Sequence, residues 1–546
     1  MCLFFICFFL NLPFSFVFFV YLCSHNLLLY YIYIDDTLMK RLTLLSLAAL
    51  SVAANAQILR TTVAQGDIEG EQLEGSVLYK AIPYAEPPVG KLRWKAPVPK
   101  APWTGTYKAT YWGARPYQQV DPNQNGGALP MSEDCLYLSV QTPAKTTADK
   151  LPVFVNIHGG AFATGSYSGT LDSFVREGII YVSIEYRLGA LGFMAHPELS
   201  KESPDGISGN YGIYDQICAL QWVHDNIAAF GGDPEKVTIC GESAGGISVS
   251  ILCASPLCKG LFRGAISESG GNFCPVSKDS DNPMGRGASM TTCKEAEARG
   301  TNFQQRLGAK NMKQMLKIDG DSLVRATQGT EFWPVVDGKA IVGDQYSLYE
   351  EGRYNDIDVI VGYNSDEGSL FVYNYSLDAY NKTIAAYGEW EARAREAYPA
   401  TNDREALYAM QDIFRDTAFG WGTWAWANLQ SRTGKSRVYM YYFDQKSGNI
   451  FMTNTRGATH VAEMPFIYDW HWGPMNDIDT HMAQIMPQYW MNFVKHGNPN
   501  ADGLPFWTTY REGEPTVMNM HNGFSLTPAP NAVQMRFWED LFGSLR

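Results

Sequence analysis

The 546-residue chain predicts an α/β fold, a largely parallel central sheet flanked by helices with large helical insertions along it. Three observations predict it. Short continuous apolar runs, such as Leu151-Pro152-Val153-Phe154-Val155-Asn156-Ile157 and Val359-Ile360-Val361-Gly362, read as strands buried on both faces. Such runs alternate with segments of helical spacing. One of them, Val237-Thr238-Ile239-Cys240, leads directly into Gly241-Glu242-Ser243-Ala244-Gly245 and then into an apolar stretch that can continue as a helix. Strand, Gly-x-Ser-x-Gly, helix is a turn that lifts a serine hydroxyl clear of a sheet edge.

Taken in order, residues 1–38 are almost uniformly apolar, with no charge before Asp35, and 3–22 is long enough to span a bilayer. Met39-Lys40-Arg41, the apolar run 42–50 and Ala54-Asn55-Ala56 together form a complete signal peptide, with basic, apolar and cleavage regions. Two export signals in tandem serve no purpose. We therefore read 1–38 as an extension from a misassigned upstream start, 39–56 as the signal peptide, and 57–546 as one folded domain without a membrane span.

Strands follow at 76–79, 136–140, 151–157 and 179–184. A helix over 214–230 carries Ile217, Leu220, Trp222, Val223 and Ile227 on its apolar positions and is stopped by Gly231-Gly232-Asp233-Pro234. After the serine turn, strands are expected at 264–267, 359–362 and 438–443. Helical insertions occupy 272–332 and 373–437, and amphipathic helices lie at 489–494 and 537–541.

The balance of 43 basic against 56 acidic residues gives a net charge of −13, and Lys and Arg occur only singly or in pairs. Nucleic acid and anionic membrane are poor partners for such a surface. Of the ten cysteines, Cys2, Cys7 and Cys23 fall in the leader. Cys218, Cys240 and Cys253 sit in apolar runs and read as small buried hydrophobes. Cys274 and Cys293 flank a polar segment, and a disulfide between them is expected in an exported protein. No Cys/His cluster has metal-ligand spacing.

A serine hydroxyl attacks only when a base removes its proton, and in this type of fold the partners follow in the order Ser, acid, His. His460, in the small-residue loop Gly457-Ala458-Thr459-His460 after the strand at 438–443, is placed to reach over the strand ends. His496 precedes Gly497 and reads as a helix C-terminus. The strand at 359–362 leads into Asp366-Glu367-Gly368, so two carboxylates stand where this architecture keeps its catalytic groups. Either can orient an imidazole. Backbone N–H donors for an oxyanion are expected from Ala244 and from the turn His158-Gly159-Gly160-Ala161-Phe162.

Several long motifs, in order, resemble the type-B carboxylesterases of the carboxylesterase/cholinesterase family: 81–90 with Leu92-Arg93-Trp94, Ser132-Glu133-Asp134-Cys135-Leu136-Tyr137-Leu138, Gly209-Asn210-Tyr211-Gly212, Phe230-Gly231-Gly232-Asp233-Pro234 and Gly241–Gly246. The resemblance runs from about residue 65 to the C-terminus. It implies an α/β-hydrolase fold, a single catalytic domain and hydrolysis of small-molecule carboxylic esters without cofactor or metal. It also assigns roles. Ser243 is the nucleophile, His460 the base and Glu367 the acid. Gly160, Ala161 and Ala244 are the oxyanion donors, and Ser269 matches a serine that stands near Glu463 behind the triad, the two giving structural or catalytic support. Two departures stand out. No cysteine in 79–134 can pair with Cys135, so that thiol stays free. No aromatic residue in 121–130 can hold a quaternary ammonium, which disfavours a choline ester. A feruloyl or acetyl esterase or a lipase is the near alternative. Bulky aromatic walls are expected around Thr330-Glu331-Phe332-Trp333. A non-catalytic binding module is the alternative of a different class.

Overall fold

In the computed structural model the described residues are 16–23, 26–33, 57–119, 129–166, 169–276, 290–327, 332–446, 455–468 and 475–546. The chain divides into two units, Met1–Gln57 and Ile58–Arg546. In the first, Phe16–Cys23 and Asn26–Tyr33 pair as antiparallel strands. The signal-peptide segment 39–56 lies outside the described residues. Among the described residues no helix is long and apolar enough to cross a membrane.

The second unit is organised on an eleven-stranded sheet. In chain order its strands are β1 (Glu71–Leu73), β2 (Ser76–Pro83), β3 (Tyr137–Thr142), β4 (Leu151–Ile157), β5 (Ile180–Ile184) and β6 (Gly232–Glu242). They continue with β7 (Gly264–Glu268), β8 (Asp358–Asn364), β9 (Val438–Phe443), β10 (Thr516–Met520) and β11 (Phe524–Pro528). Across the sheet they run β11-β10-β9-β8-β7-β6-β4-β5-β3-β2-β1. The stretch from β5 to β10 is parallel throughout, while β1 to β3 and β11 join antiparallel. A parallel interior needs cover on both faces, which is why its strands read as unbroken apolar runs. Side chains alternate accordingly: Val153, Val155, Ala265, Val359 and Val361 enter one core, and Phe154, Ile266 and Ile360 the other.

Helices supply the cover. α1 (Tyr211–Asn226) starts after Asn210, which takes the left-handed conformation, and its continuation Ile227–Phe230 tightens to a 3-10 turn ended by left-handed Gly231. α2 (Ala244–Ala254) is buried along its whole length. Two insertion helices, α3 (Asp403–Arg415) and α4 (Trp421–Thr433), are joined by a single π-helical turn, Asp416–Gly420. α5 (Asp477–His496) is capped by the Asn476 side chain and closed by left-handed Gly497, placing His496 at a helix C-terminus. Its Met482, Met486, Tyr489, Trp490 and Phe493 pack on the second face of the sheet. α6 (Ala532–Leu545) docks on the insertion helices through Phe537, Trp538 and Leu541.

Two of the sequence motifs are structural fasteners. Arg93 reaches Glu133 with two N–H groups and donates to the Ile318 carbonyl at 2.7 Å, tying the first motif to the second and to an insertion. Trp94 donates from its indole nitrogen to the Ala190 carbonyl at 2.9 Å.

Candidate active site

The site is assembled at the C-terminal ends of β4, β6, β7 and β8 and the loop that follows β9. β6 ends at Glu242 and α2 begins at Ala244, leaving Ser243 between them at φ 58°, ψ −123°. A non-glycine residue held there stores backbone strain of about 1–3 kcal/mol. Close approach makes the turn possible: a Cβ on Gly245 would collide with the Ile157 carbonyl, and one on Gly159 with the Glu242 carbonyl. The absent side chains let α2 and the turn after β4 close against the nucleophile strand. That turn has positive φ at Gly160, Ala161 and Phe162. The Gly160 carbonyl accepts from Ala163 and Thr164. The N–H groups of Gly160, Ala161 and Ala244 donate to no acceptor among the described residues.

β8 delivers the carboxylates. Glu367 is fully buried. Its Oε2 lies 2.5 Å from Nδ1 of His460, and its Oε1 accepts from Ser269 Oγ at 2.6 Å and from the Asn364 N–H at 2.8 Å. The three contacts fix the carboxylate plane and, through it, the imidazole, which therefore carries its proton on Nδ1. Phe419 stacks on the imidazole at 4.6 Å and 14°, and Phe371 lies 5.2 Å away at a tilt. The other ring nitrogen, Nε2, is 3.1 Å from Glu242 Oε1, an oxygen that makes no hydrogen bond among the described residues. The Ser243 hydroxyl, partly exposed, makes no hydrogen bond among the described residues.

Buried charge dominates the electrostatics. Burial works against the His460 cation, but the Glu242 and Glu367 carboxylates outweigh it and push the pKa up to about 9. Burial drives the Glu242 carboxyl well above the usual range, against the pull of His460. Burial, with Glu367 nearby, raises Glu463 to about 7. Burial, with Glu463 nearby, raises Glu268 to about 8. Four carboxyl groups within one water-poor volume cannot all ionise.

Residues 56–538 match the model of the carboxylesterase family. The chain belongs to that family. It is 32% identical over 509 residues to a fumonisin B1 esterase of Sphingopyxis macrogoltabida, covering 86% of this chain and 88% of the relative. It is 33% identical over 500 residues to the pyrethroid hydrolase Ces2e of Rattus norvegicus, covering 84% of each. A cocaine esterase of Homo sapiens is 31% identical over 510 residues, at 85% and 87%. The chain is a carboxylic ester hydrolase with the α/β-hydrolase fold, which sets aside the binding-module alternative.

Other expectations for this carboxylesterase need correction. Cys274 and Cys293 are not joined by a disulfide. Cys274 is buried with its Sγ 3.3 Å from the Thr417 carbonyl, and Cys293 is the first residue of a helix capped by Thr292, with its Sγ toward Glu297. Cys135 is buried and unbridged, as the missing partner implied. Ser269 donates its hydroxyl to Glu367 at 2.6 Å. With φ 51° at the end of β7, it turns its hydroxyl toward the neighbouring β8. Glu463 accepts from the Asn364 side-chain amide at 2.5 Å. Thr330 and Glu331 lie outside the described residues. Of the aromatic wall, Phe332 is buried against Phe303 and Trp333 meets Phe162 edge-on at 4.8 Å.

Sequence reasoning missed Glu242 as a neighbour of the imidazole, although it lies inside the Gly-x-Ser-x-Gly motif, one residue from the nucleophile. Phe371 also has a signal, being four positions after Glu367 as the C-cap of the 3-10 turn Glu367–Leu370. Phe419 has none, because a π-helical turn far along the chain carries it to the ring.

Proposed function

We propose that Ser243, His460 and Glu367 are the catalytic triad of an exported serine carboxylesterase. The observation that carries this reading is the imidazole held by Nδ1 on a buried, doubly supported Glu367 while its Nε2 faces the strand end that bears Ser243. In an enzyme without substrate the hydroxyl-to-base hydrogen bond is commonly open and tightens only on binding. Nε2 takes the Ser243 proton as Oγ bonds to the ester carbonyl carbon, and the carbonyl π pair moves onto oxygen. The N–H groups of Gly160, Ala161 and Ala244 receive that oxyanion, each worth about 3 kcal/mol in such sites. Collapse expels the alkoxide, which takes the proton from Nε2 and leaves an acyl-enzyme. Water, deprotonated by the same nitrogen, repeats the sequence and releases the acid. Glu367 keeps the Nδ1 tautomer and stabilises the transient imidazolium.

Phe371, 42% exposed beside His460 and stacked on Phe414 at 4.5 Å, presents an apolar wall that favours esters with a bulky apolar or aromatic portion. Export rests on the signal-peptide pattern at 39–56, and a mature N-terminus at Gln57 by mass spectrometry is the expected result. Ser243→Ala, His460→Ala and Glu367→Gln test the triad with a panel of esters of graded acyl length and aromaticity. Ser243→Ala should lower kcat by about a millionfold, and retention of ordinary turnover in that variant would refute the reading.

A further inference from the structure

Of the two adjacent carboxylates on the β8 turn, Glu367 serves the imidazole; Asp366 faces away from it and is just as deeply buried, at 2% exposure. Its oxygens accept from the backbone N–H of Arg456 at 2.7 Å and of Gly457 at 3.3 Å, and from the Arg456 guanidinium at 3.3 Å. Its own N–H donates to the Ala458 carbonyl at 2.8 Å. The neighbours repeat the pattern. Ser365 Oγ accepts from the Ala458 N–H at 2.9 Å, the Asn364 amide donates to the Thr459 carbonyl at 2.9 Å, and Ser369 Oγ bonds to Thr459 Oγ1 at 3.0 Å. Each residue from 456 to 459, the four leading into His460, is thus bonded to the turn that carries Glu367.

The fastening extends to a third wall. The Arg456 guanidinium also donates to Asp412 at 2.7 Å and lies 4.6 Å over the Tyr408 ring, both residues on α3. Arg415, at the end of α3, donates to the Ser365 carbonyl at 3.1 Å. The π-helical turn that follows α3 directly brings Phe419 onto the imidazole face.

We propose that Asp366, with Arg456, is a positioning residue that registers the His460 loop against the acid turn and against α3. The base is thereby held both on Glu367 and under Phe419. A carboxylate suits this place because it accepts from two backbone N–H groups and a guanidinium at once, and charge-assisted bonds of that kind are the stronger ones. The proposal rests on the triad reading above.

Asp366→Ala removes every acceptor, whereas Asp366→Asn keeps one oxygen that can serve both backbone N–H groups. Asp366→Ala is expected to lower kcat about a hundredfold, the usual effect of a displacement near 1 Å. KM should stay within about twofold of the parent, and fluorophosphonate labelling of Ser243 should slow by the same factor as kcat. Asp366→Asn should recover most of the loss. Arg456→Met, at a side chain 32% exposed, should lower kcat about tenfold with KM unchanged. It decides the question if Asp366→Ala does not fold. Parental kcat in either Asp366→Ala or Arg456→Met, or an Asn variant as impaired as the Ala variant, overturns the proposal. If Ser243→Ala is inactive while Asp366→Ala turns over normally, the clasp alone fails; if Ser243→Ala stays active, the triad reading fails first.

Discussion

Glu242→Gln isolates the charge that crowds the base without changing the size of the side chain. Glu242 Oε1 is 3.1 Å from His460 Nε2. At an effective dielectric constant of about 20, full charges at that separation attract by about 5 kcal/mol. Less than this is realised, because burial raises the Glu242 carboxyl well above its usual range and opposes the pull of His460 on its charged form. The rise of His460 from 6.5 to about 9 corresponds to about 3 kcal/mol in favour of the imidazolium. Glu242 is the foremost of the carboxylates that produce it. A histidine base works only when neutral, so activity rises as pH climbs through its pKa. The parent enzyme should therefore show an acid limb of kcat/KM above the ordinary histidine value. Removing the Glu242 charge lowers the pKa of the imidazole, and the limb should move down by about one pH unit or more. The assay is kcat/KM for a chromogenic ester from about pH 5 to pH 10, with turnover normalised by active-site titration. A midpoint that stays within about 0.3 units of the parent, or moves up, refutes the electrostatic account.

Ser269→Ala removes a 2.6 Å donor from a fully buried carboxylate, which should cost about 1–3 kcal/mol of stability. A fall in kcat at constant KM should accompany it, measured by melting curves and steady-state kinetics on the same preparations. Glu268 has its folded pKa raised to about 8, so its contribution to stability is fully present below the ordinary carboxyl value and is lost as pH rises through about 8. Glu268→Gln should consequently narrow the difference in unfolding free energy between pH 5 and pH 9 by about a few kcal/mol, read from denaturation curves at the two pH values. An unchanged gap would mean that the carboxyl ionises normally. The buried Cys135, whose pKa burial drives well above the thiol range, should resist a water-soluble thiol reagent in the native enzyme and react on unfolding.

Much of this architecture was legible along the chain because parallel strands buried on both faces leave a simple signature. Leu151–Ile157 and Val438–Phe443 form with the bounds their apolar runs suggest. The expected strand at 237–240 is longer, Gly232–Glu242, since Asp233, Pro234, Glu235 and Lys236 interrupt the apolar pattern without ending the ladder. The hairpin of β10 and β11 is harder to see in the chain. Its signal was present in Asn522-Gly523, both at positive φ, but the flanking residues alternate too weakly to announce strands. At the site, the motif around Ser243 announces itself because its glycines are demanded by backbone approach. Choosing between Asp366 and Glu367 is different in kind. Adjacent carboxylates on one turn point to opposite sides, and only the packed positions of Ser269, Asn364 and the 455–460 loop decide which one meets the imidazole. The partner of Ser269 is hidden for the same reason: it is set by the twist of its own backbone at the strand end.

The central claim is that the hydroxyl at 243 becomes covalently acylated with His460 as its base. Its most direct test is peptide mapping by mass spectrometry of the purified enzyme after treatment with a fluorophosphonate. The account predicts one adduct per chain, on Ser243, forming in step with loss of esterase activity and absent from His460→Ala over the same time. An adduct at another residue, or full inhibition with Ser243 unmodified, would contradict it.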